Sequence, residues 1–186
     1  AAATSLGVPL ADAVMAIGRF VGLRRRLETV GTASGVTVID DFAHNPDKLA
    51  ATLSTLHAFP GRLLVLFQPH GYGPLKVMGN ALVETFVQHL APEDVLVLPD
   101  PVYQGGTVDR SVGSADIVNA VMVAGGDAVH IADREAAVRH LVAAGRFDVI
   151  EGLIERFGSA SSLPFGDAKL PFYLMHAQLW LLIALA

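Results

Sequence analysis

The sequence predicts an α/β fold: a mostly parallel sheet with helices on both faces. Short apolar, β-branched runs alternate with segments whose apolar residues fall three and four apart. The runs are apolar throughout, as strands buried on both faces require. Capping and turn residues stand at the junctions between the two kinds of segment.

Taken in order, Leu10, Val14, Ile17 and Val21 lie at helical spacing. Val36 to Ile39 reads as a strand that stops at two carboxylates, Asp40 and Asp41. Asn45-Pro46 then opens a helix, since Asn caps well and Pro is favoured at the first helical position. That helix buries Leu49, Leu53 and Leu56 and stops by Pro60-Gly61. Leu63 to Phe67 is a second strand, followed by a helix with apolar Leu75, Met78, Leu82, Phe86 and Leu90. Asp94 to Leu98 is a third strand, and Ser114 is expected to cap the helix running to Val123. Ala128 to Ala132 is a fourth strand, Asp133 caps a helix to about Ala144, and Phe147 to Ile150 is a fifth short strand.

With 186 residues the chain suffices for one domain with its own core. A hydrophobic content of 52% against 17% charged argues against disorder. Net charge is −5, and beyond Arg24-Arg25-Arg26 no basic face stands out, which argues against nucleic acid as a partner. The absence of cysteine excludes a disulfide frame, a thiolate nucleophile and a Cys-based zinc site, and is compatible with the cytoplasm. No basic segment followed by an apolar core opens the sequence, so no signal peptide is expected. Residues 1–22 read as the helical end of a preceding domain, 23–150 as the α/β domain, and 151–186 as an atypical apolar tail.

Residues with chemistry follow the strands. Asp40, Asp41, His44 and Asn45 come after the first; Gln68, His70 and Tyr72 after the second; Asp100, Tyr103, Asp109 and Arg110 after the third. Parallel strands side by side would empty all three loops into one cleft, where open α/β sheets hold ligands. Asp40 and Asp41 are neighbours on a strand and face opposite ways, so one is expected to face solvent. His44 could satisfy a backbone group near the helix start or position a ligand; no second His sits at metal-ligand spacing, and no metal site is expected. The Arg triplet is either a solvated turn or a fork for phosphate or ribose. Gly105-Gly106 reads as a turn; no Walker loop, Gly-x-Ser-x-Gly elbow or His-Glu-x-x-His helix occurs.

Four segments, in order, carry a resemblance: Arg25-Arg-Leu-Glu28, Ile39-Asp-Asp-Phe-Ala-His-Asn-Pro46, Arg62-Leu-Leu-Val-Leu-Phe-Gln-Pro-His70 and Asp100-Pro-Val-Tyr103. Over about residues 10–150 the chain resembles the C-terminal domain of the Mur ligases, ATP-dependent ligases that add amino acids to UDP-N-acetylmuramate in peptidoglycan synthesis. Phe67-Gln-Pro-His70 is closest to the branch that joins the muramate carboxylate to alanine or to a peptide. The resemblance implies a Rossmann-like fold, a cytoplasmic enzyme, and ATP with Mg2+ held mainly by a central domain. It implies that ATP phosphorylates the substrate carboxylate and that an amine attacks the acyl phosphate. Carried over, Arg26 approaches the nucleotide's phosphates or ribose, Asp41 accepts a ribose hydroxyl, and His44 and Asn45 line the same mouth. His70 and Tyr72 face the incoming amino acid, with Tyr103 and Arg110 on the substrate side. UDP-muramate would be bound together with an N-terminal and a central domain.

Gly71 and Pro74 stand where the alanine-adding branch usually carries Arg. With no Gly-Lys-Thr loop in these residues, the chain alone is expected to be catalytically inactive. Two alternatives remain: a polyglutamate- or cyanophycin-type ligase domain, against which Phe-Gln-Pro-His argues, and a non-catalytic α/β binding module. Leu170 to Ala186 is apolar except for His176 and Gln178, and falls short of the roughly 20 residues a spanning helix needs. A buried or partner-covered terminal helix is expected there, in preference to a membrane contact or to a tail acquired by frame shift or fusion.

Overall fold

A computed structural model describes residues 2–33, 35–103, 105–145 and 181–185. The strands are β1 (Glu28–Ala33), β2 (Val36–Asp41), β3 (Leu63–Phe67), β4 (Val95–Leu98), β5 (Ala128–His130) and β6 (Leu181–Leu185). The helices are α1 (Ala2–Ser5), α2 (Leu10–Gly18), α3 (Pro46–Leu56), α4 (Tyr72–His89), α5 (Ser114–Val123) and α6 (Arg134–Gly145).

The strands form one sheet in the order β1-β2-β6-β3-β4-β5. β3, β4 and β5 pair in parallel, while β6 is antiparallel to both β2 and β3. Hence β2, β3, β4 and β5 share one direction and open their carboxyl ends on one edge. The expectation that the first three strands lie side by side holds for β3 and β4 and fails for β2. β6 stands between β2 and β3, which separates them by two strand spacings, about 10 Å.

β6 also corrects the reading of the tail. Leu181–Leu185 form a strand in the middle of the sheet, not part of a terminal helix. A short apolar run fits a doubly covered strand as well as a buried helix, and periodicity alone does not choose between them. The rest of the tail, and the expected strand Phe147 to Ile150, lie outside the described residues.

β1 was not anticipated. It forms a hairpin with β2, and Gly35 takes φ +80° at the turn, a conformation glycine adopts without strain. Thr32 and Thr37 share a hydrogen bond of 3.0 Å between their hydroxyls across this pair.

Helices cover both faces. Ile39, Leu63, Val65, Phe67, Leu96 and Leu98 pack with α3, α4 and α5 residues such as Leu49, Leu53, Leu75, Leu82, Phe86 and Val121. On the other face, Val38, Leu64, Leu66 and Val97 pack with Ala137, Val138 and Leu141 of α6. The end of α6 is tied to the start of β3, where Arg62 Nη2 donates to the Ala144 carbonyl at 2.8 Å. Asp94, buried before β4, accepts the Leu63 N–H (2.7 Å), the Ala91 N–H (2.8 Å) and His57 Nε2 (2.7 Å). One carboxylate thus pins the end of α3, the start of β3 and the α4–β4 turn.

Two cap expectations meet different outcomes. Asn45 caps α3 by accepting the Lys48 N–H at 3.0 Å, and Asp133 accepts the Ala136 N–H at 2.8 Å. Ser114 does not cap α5. Gly113 occupies the cap position, with its N–H bonded to Asp116 Oδ2 at 2.8 Å, and the buried Ser114 hydroxyl donates to the Pro99 carbonyl at 2.6 Å. That bond ties the start of α5 to the loop after β4.

Candidate nucleotide and substrate site

Two groups of polar residues rise from the carboxyl edge, one on each side of β6. The first is built around the end of β2. Asp40 and Asp41 face opposite ways, as neighbours on a strand must, yet both are buried, at 5% and 6% exposure. The expectation that one would face solvent is therefore wrong. The residues that cover them come from elsewhere in the chain.

Asp41, on the α3 side, accepts the Thr52 hydroxyl at 2.6 Å and the Leu27 N–H at 3.2 Å. Asp40, on the other face, lies 3.4 Å from Arg25 Nε through Oδ2, while its buried Oδ1 has no hydrogen-bond partner. Burial raises the Asp40 pKa above 3.8; the Arg25 charge opposes this, and the charges of Glu28 and Asp41 add to it.

The Arg triplet is a turn docked on this strand end. Phe42 N–H donates to the Arg25 carbonyl at 2.9 Å, and Arg25 N–H donates to Glu28 Oε2 at 2.9 Å. The guanidinium groups of Arg25 and Arg26 lie 5.5 and 5.4 Å from the Phe42 ring centroid, within cation–π range. Arg26 is exposed and Arg25 half-buried. The His44 ring packs edge-on to Phe42 at 5.1 Å, and its Nδ1 donates to the Phe42 carbonyl at 3.0 Å. A carbonyl only accepts, so Nδ1 carries the hydrogen of this bond. Arg26, Asp41, His44 and Asn45 are thus gathered at the start of α3, with Asn45 engaged as its cap.

The second group joins the β3–α4 loop to the β4–α5 loop. Gln68 Nε2 donates to the Asp100 carbonyl at 3.0 Å, and Val102 N–H donates to the Pro69 carbonyl at 3.4 Å. His130, at the end of β5, donates from Nε2 to Asp100 Oδ1 at 2.7 Å. Arg110 lies over the Tyr103 ring at 3.5 Å and over the Tyr72 ring at 5.7 Å. Lys76 of α4 pairs with Asp109, whose pKa is held down to about 2 by that bond and by the Ser111 N–H. His70 is exposed on the loop between Gln68 and Tyr72. Tyr72, Tyr103 and Arg110 are therefore brought together, with His70 two residues from the stack.

The sequence names Arg25 only within the Arg triplet and Asp100 only among the polar residues after the third strand, and does not single out Phe42 or His130. Arg25 and Phe42 organise the first group, and Asp100 and His130 hold the second. A signal existed for Phe42, which sits between the two acids and His44. None existed for His130, which reads as the last residue of an ordinary strand.

This is a doubly covered α/β sheet whose polar loops converge on the carboxyl edge, the arrangement in which open sheets hold ligands. The chain belongs to the Mur ligase family: the model of "Mur ligase, glutamate ligase domain" matches residues 25–150. Among curated relatives, the UDP-N-acetylmuramate–L-alanine ligase of Lachnospira eligens is 35% identical over 76% of this chain and 30% of its own length. The enzyme of that name from Streptomyces coelicolor is 36% identical over 74% of this chain and 29% of its own length. That of Acidithiobacillus ferrooxidans is 40% identical over 56% of this chain and 22% of its own length. The chain thus spans less than a third of the relatives it matches. Among the described residues, no helix is long and apolar enough to cross a membrane. No group of three or more His, Asp or Glu there could hold a metal ion.

Proposed function

We propose that this chain supplies the C-terminal domain of an ATP-dependent ligase that joins an amino acid to the carboxylate of UDP-N-acetylmuramate. L-Alanine is the amino acid in the relatives' names and is the first candidate. The observation that carries the reading is the Arg25–Arg26 turn docked on Asp40, Asp41 and Phe42 at the mouth of α3. It sets a cation beside a helix N-terminus, a combination suited to phosphate groups.

In the reaction, the muramate carboxylate oxygen attacks the γ-phosphorus of ATP and ADP leaves. The amine then attacks the acyl carbon, the C–O bond to phosphate breaks, and inorganic phosphate departs with formation of the amide. Such chemistry depends on positioning and on screening charge. We assign Arg26 to the phosphates or ribose, and His44 and Asn45 to the wall of the same mouth. Asp41 has two lone pairs on each oxygen and could accept a ribose hydroxyl while keeping Thr52 and the Leu27 N–H. We assign His70, Tyr72 and Tyr103 to the amino acid. Gly71 and Pro74 bring no charge to that loop, so Arg110, stacked on Tyr103, is the cation we assign to the amino acid carboxylate. The described residues gather no donor set for Mg2+, which we assign, with most of the ATP contacts, to other domains of the ligase.

Residues 1–22 fit this reading as part of a preceding domain. α2 buries none of its residues, and Leu10, Val14, Ile17 and Phe20 are more than half exposed, as expected of a helix that another domain covers.

The test fuses this chain behind the N-terminal and central portions of the Streptomyces coelicolor relative. The fusion should release phosphate in a manner dependent on ATP, UDP-N-acetylmuramate and L-alanine. R26A should lower that rate about a hundredfold. A well-folded fusion that hydrolyses no ATP with any amino acid would refute the reading.

A further inference from the structure

Arg25 and Leu27 have φ of +58° and +47°, and among the described residues they are the only ones other than glycine on the positive side. Side chains hold such conformations only where surrounding structure over-determines them, and these cases cluster at functional sites. Where the chain needs only to reverse nearby, it uses glycine, as at Gly22 (φ +88°) and Gly35 (φ +80°).

We propose that Glu28, Asp40 and Asp41 are positioning residues that clamp the left-handed turn Arg25–Leu27 and so aim Arg26 at the mouth of α3; this rests on the ligase reading above. Two carboxylates fix the Arg25 end of the turn and a third fixes the Leu27 end. Arg25 gives its N–H to Glu28 Oε2 (2.9 Å) and its guanidinium to Asp40 (3.4 Å). Leu27 gives its N–H to Asp41 Oδ1 (3.2 Å), and Thr52 holds Asp41 from α3 at 2.6 Å. The Phe42 N–H closes the frame on the Arg25 carbonyl at 2.9 Å. Arg26 is the residue between the two clamped positions, so its backbone is set on both sides before any ligand arrives. Pre-organisation of this kind lowers the cost of ordering a long cationic side chain on binding.

Glu28 is the position to vary, because it is only half-buried and a conservative replacement separates the roles. Gln retains an oxygen that can accept the Arg25 N–H, whereas Ala does not. In the full chain, E28A should speed exchange of the Arg25 amide about tenfold, and E28Q should leave it near the wild-type rate. Titration of the three-domain fusion described above with MgATP, followed by the Arg26 Nε–H resonance, should show E28A needing about fivefold more nucleotide for the half-shift, with E28Q rescued. Equal Arg25 exchange in wild type and E28A overturns the inference, as does an unchanged half-shift concentration in a faster-exchanging E28A. A wild-type fusion whose Arg26 does not respond to MgATP, with its Arg25 amide still protected through Glu28, assigns the failure to the ligase reading and leaves the clamp standing.

Discussion

At the scale of single residues, the end of β2 shows how two adjacent acids take different parts. Asp41 is satisfied from two sides, by a hydroxyl and a backbone N–H. Asp40 has one oxygen near Arg25 and the other buried without a hydrogen bond, an arrangement that disfavours its charge. Its folded pKa lies above 3.8. The folded state therefore binds this proton more tightly than the unfolded chain does. The resulting stability is complete below the unfolded value and is lost as pH rises through the folded one. Asp40→Asn should accordingly gain on the wild type as pH rises from below 3.8 through the range in which the folded-state carboxyl ionises. Urea midpoints of both proteins across that range measure it, and a gap that stays constant contradicts the assignment. The sequence disclosed that the two acids face opposite ways, because strand geometry requires it. It did not disclose that both are buried, because Leu27, Thr52 and Arg25 reach them through tertiary structure. Asn45 was readable since capping is local: donor and acceptor lie three residues apart.

At the scale of elements, legibility followed burial. β2, β3 and β4 announced themselves as apolar runs because both faces are covered. The core face of α3 followed from the spacing of Leu49, Leu53 and Leu56, which are between 0% and 2% exposed. Leu53→Ala should cost about 2–5 kcal/mol, the range for a leucine deleted from a packed interior. Thermal or urea unfolding checks this; at about 0.8 kcal/mol per buried carbon the three carbons removed are worth about 2.4 kcal/mol in transfer alone, so a loss below about 1 kcal/mol would mean that Leu53 is not buried as described. β1 escaped notice because Thr29-Val-Gly-Thr32 on the sheet edge has neither an apolar run nor a clean alternation. The first turn of α4, Tyr72 to Pro74, looks like loop in the sequence, yet Pro suits a first helical turn. α5 begins where expected, but its Ser114 serves the β4 loop instead of the cap.

At the scale of the whole molecule, the sheet is two halves joined in the middle. β1 and β2 with α3 form one side, β3, β4 and β5 the other, and β6 supplies the ladders between them. The α3–α4 packing is the other seam. Cutting residues 181–186 should leave the facing edges of β2 and β3 without partners in the middle of the sheet, a costly and aggregation-prone state. We expect the shortened chain to lose its cooperative melt and to elute as large species on gel filtration. A monomer with an unchanged melting curve would show that the two halves close without β6. The direction of the three chemistry-bearing strands was legible from their alternation with helices; the partner between β2 and β3 was not, since it comes from remote sequence.

That remoteness has a consequence for how the protein is made. β3, α4, β4, α5, β5 and α6 follow one another in the chain and can assemble as they leave the ribosome. The strand that joins them to β2 emerges only after residues 146–180 have been synthesised. Until then the nascent polypeptide carries two exposed sheet margins, which makes this interval the one in which a chaperone has most to shield.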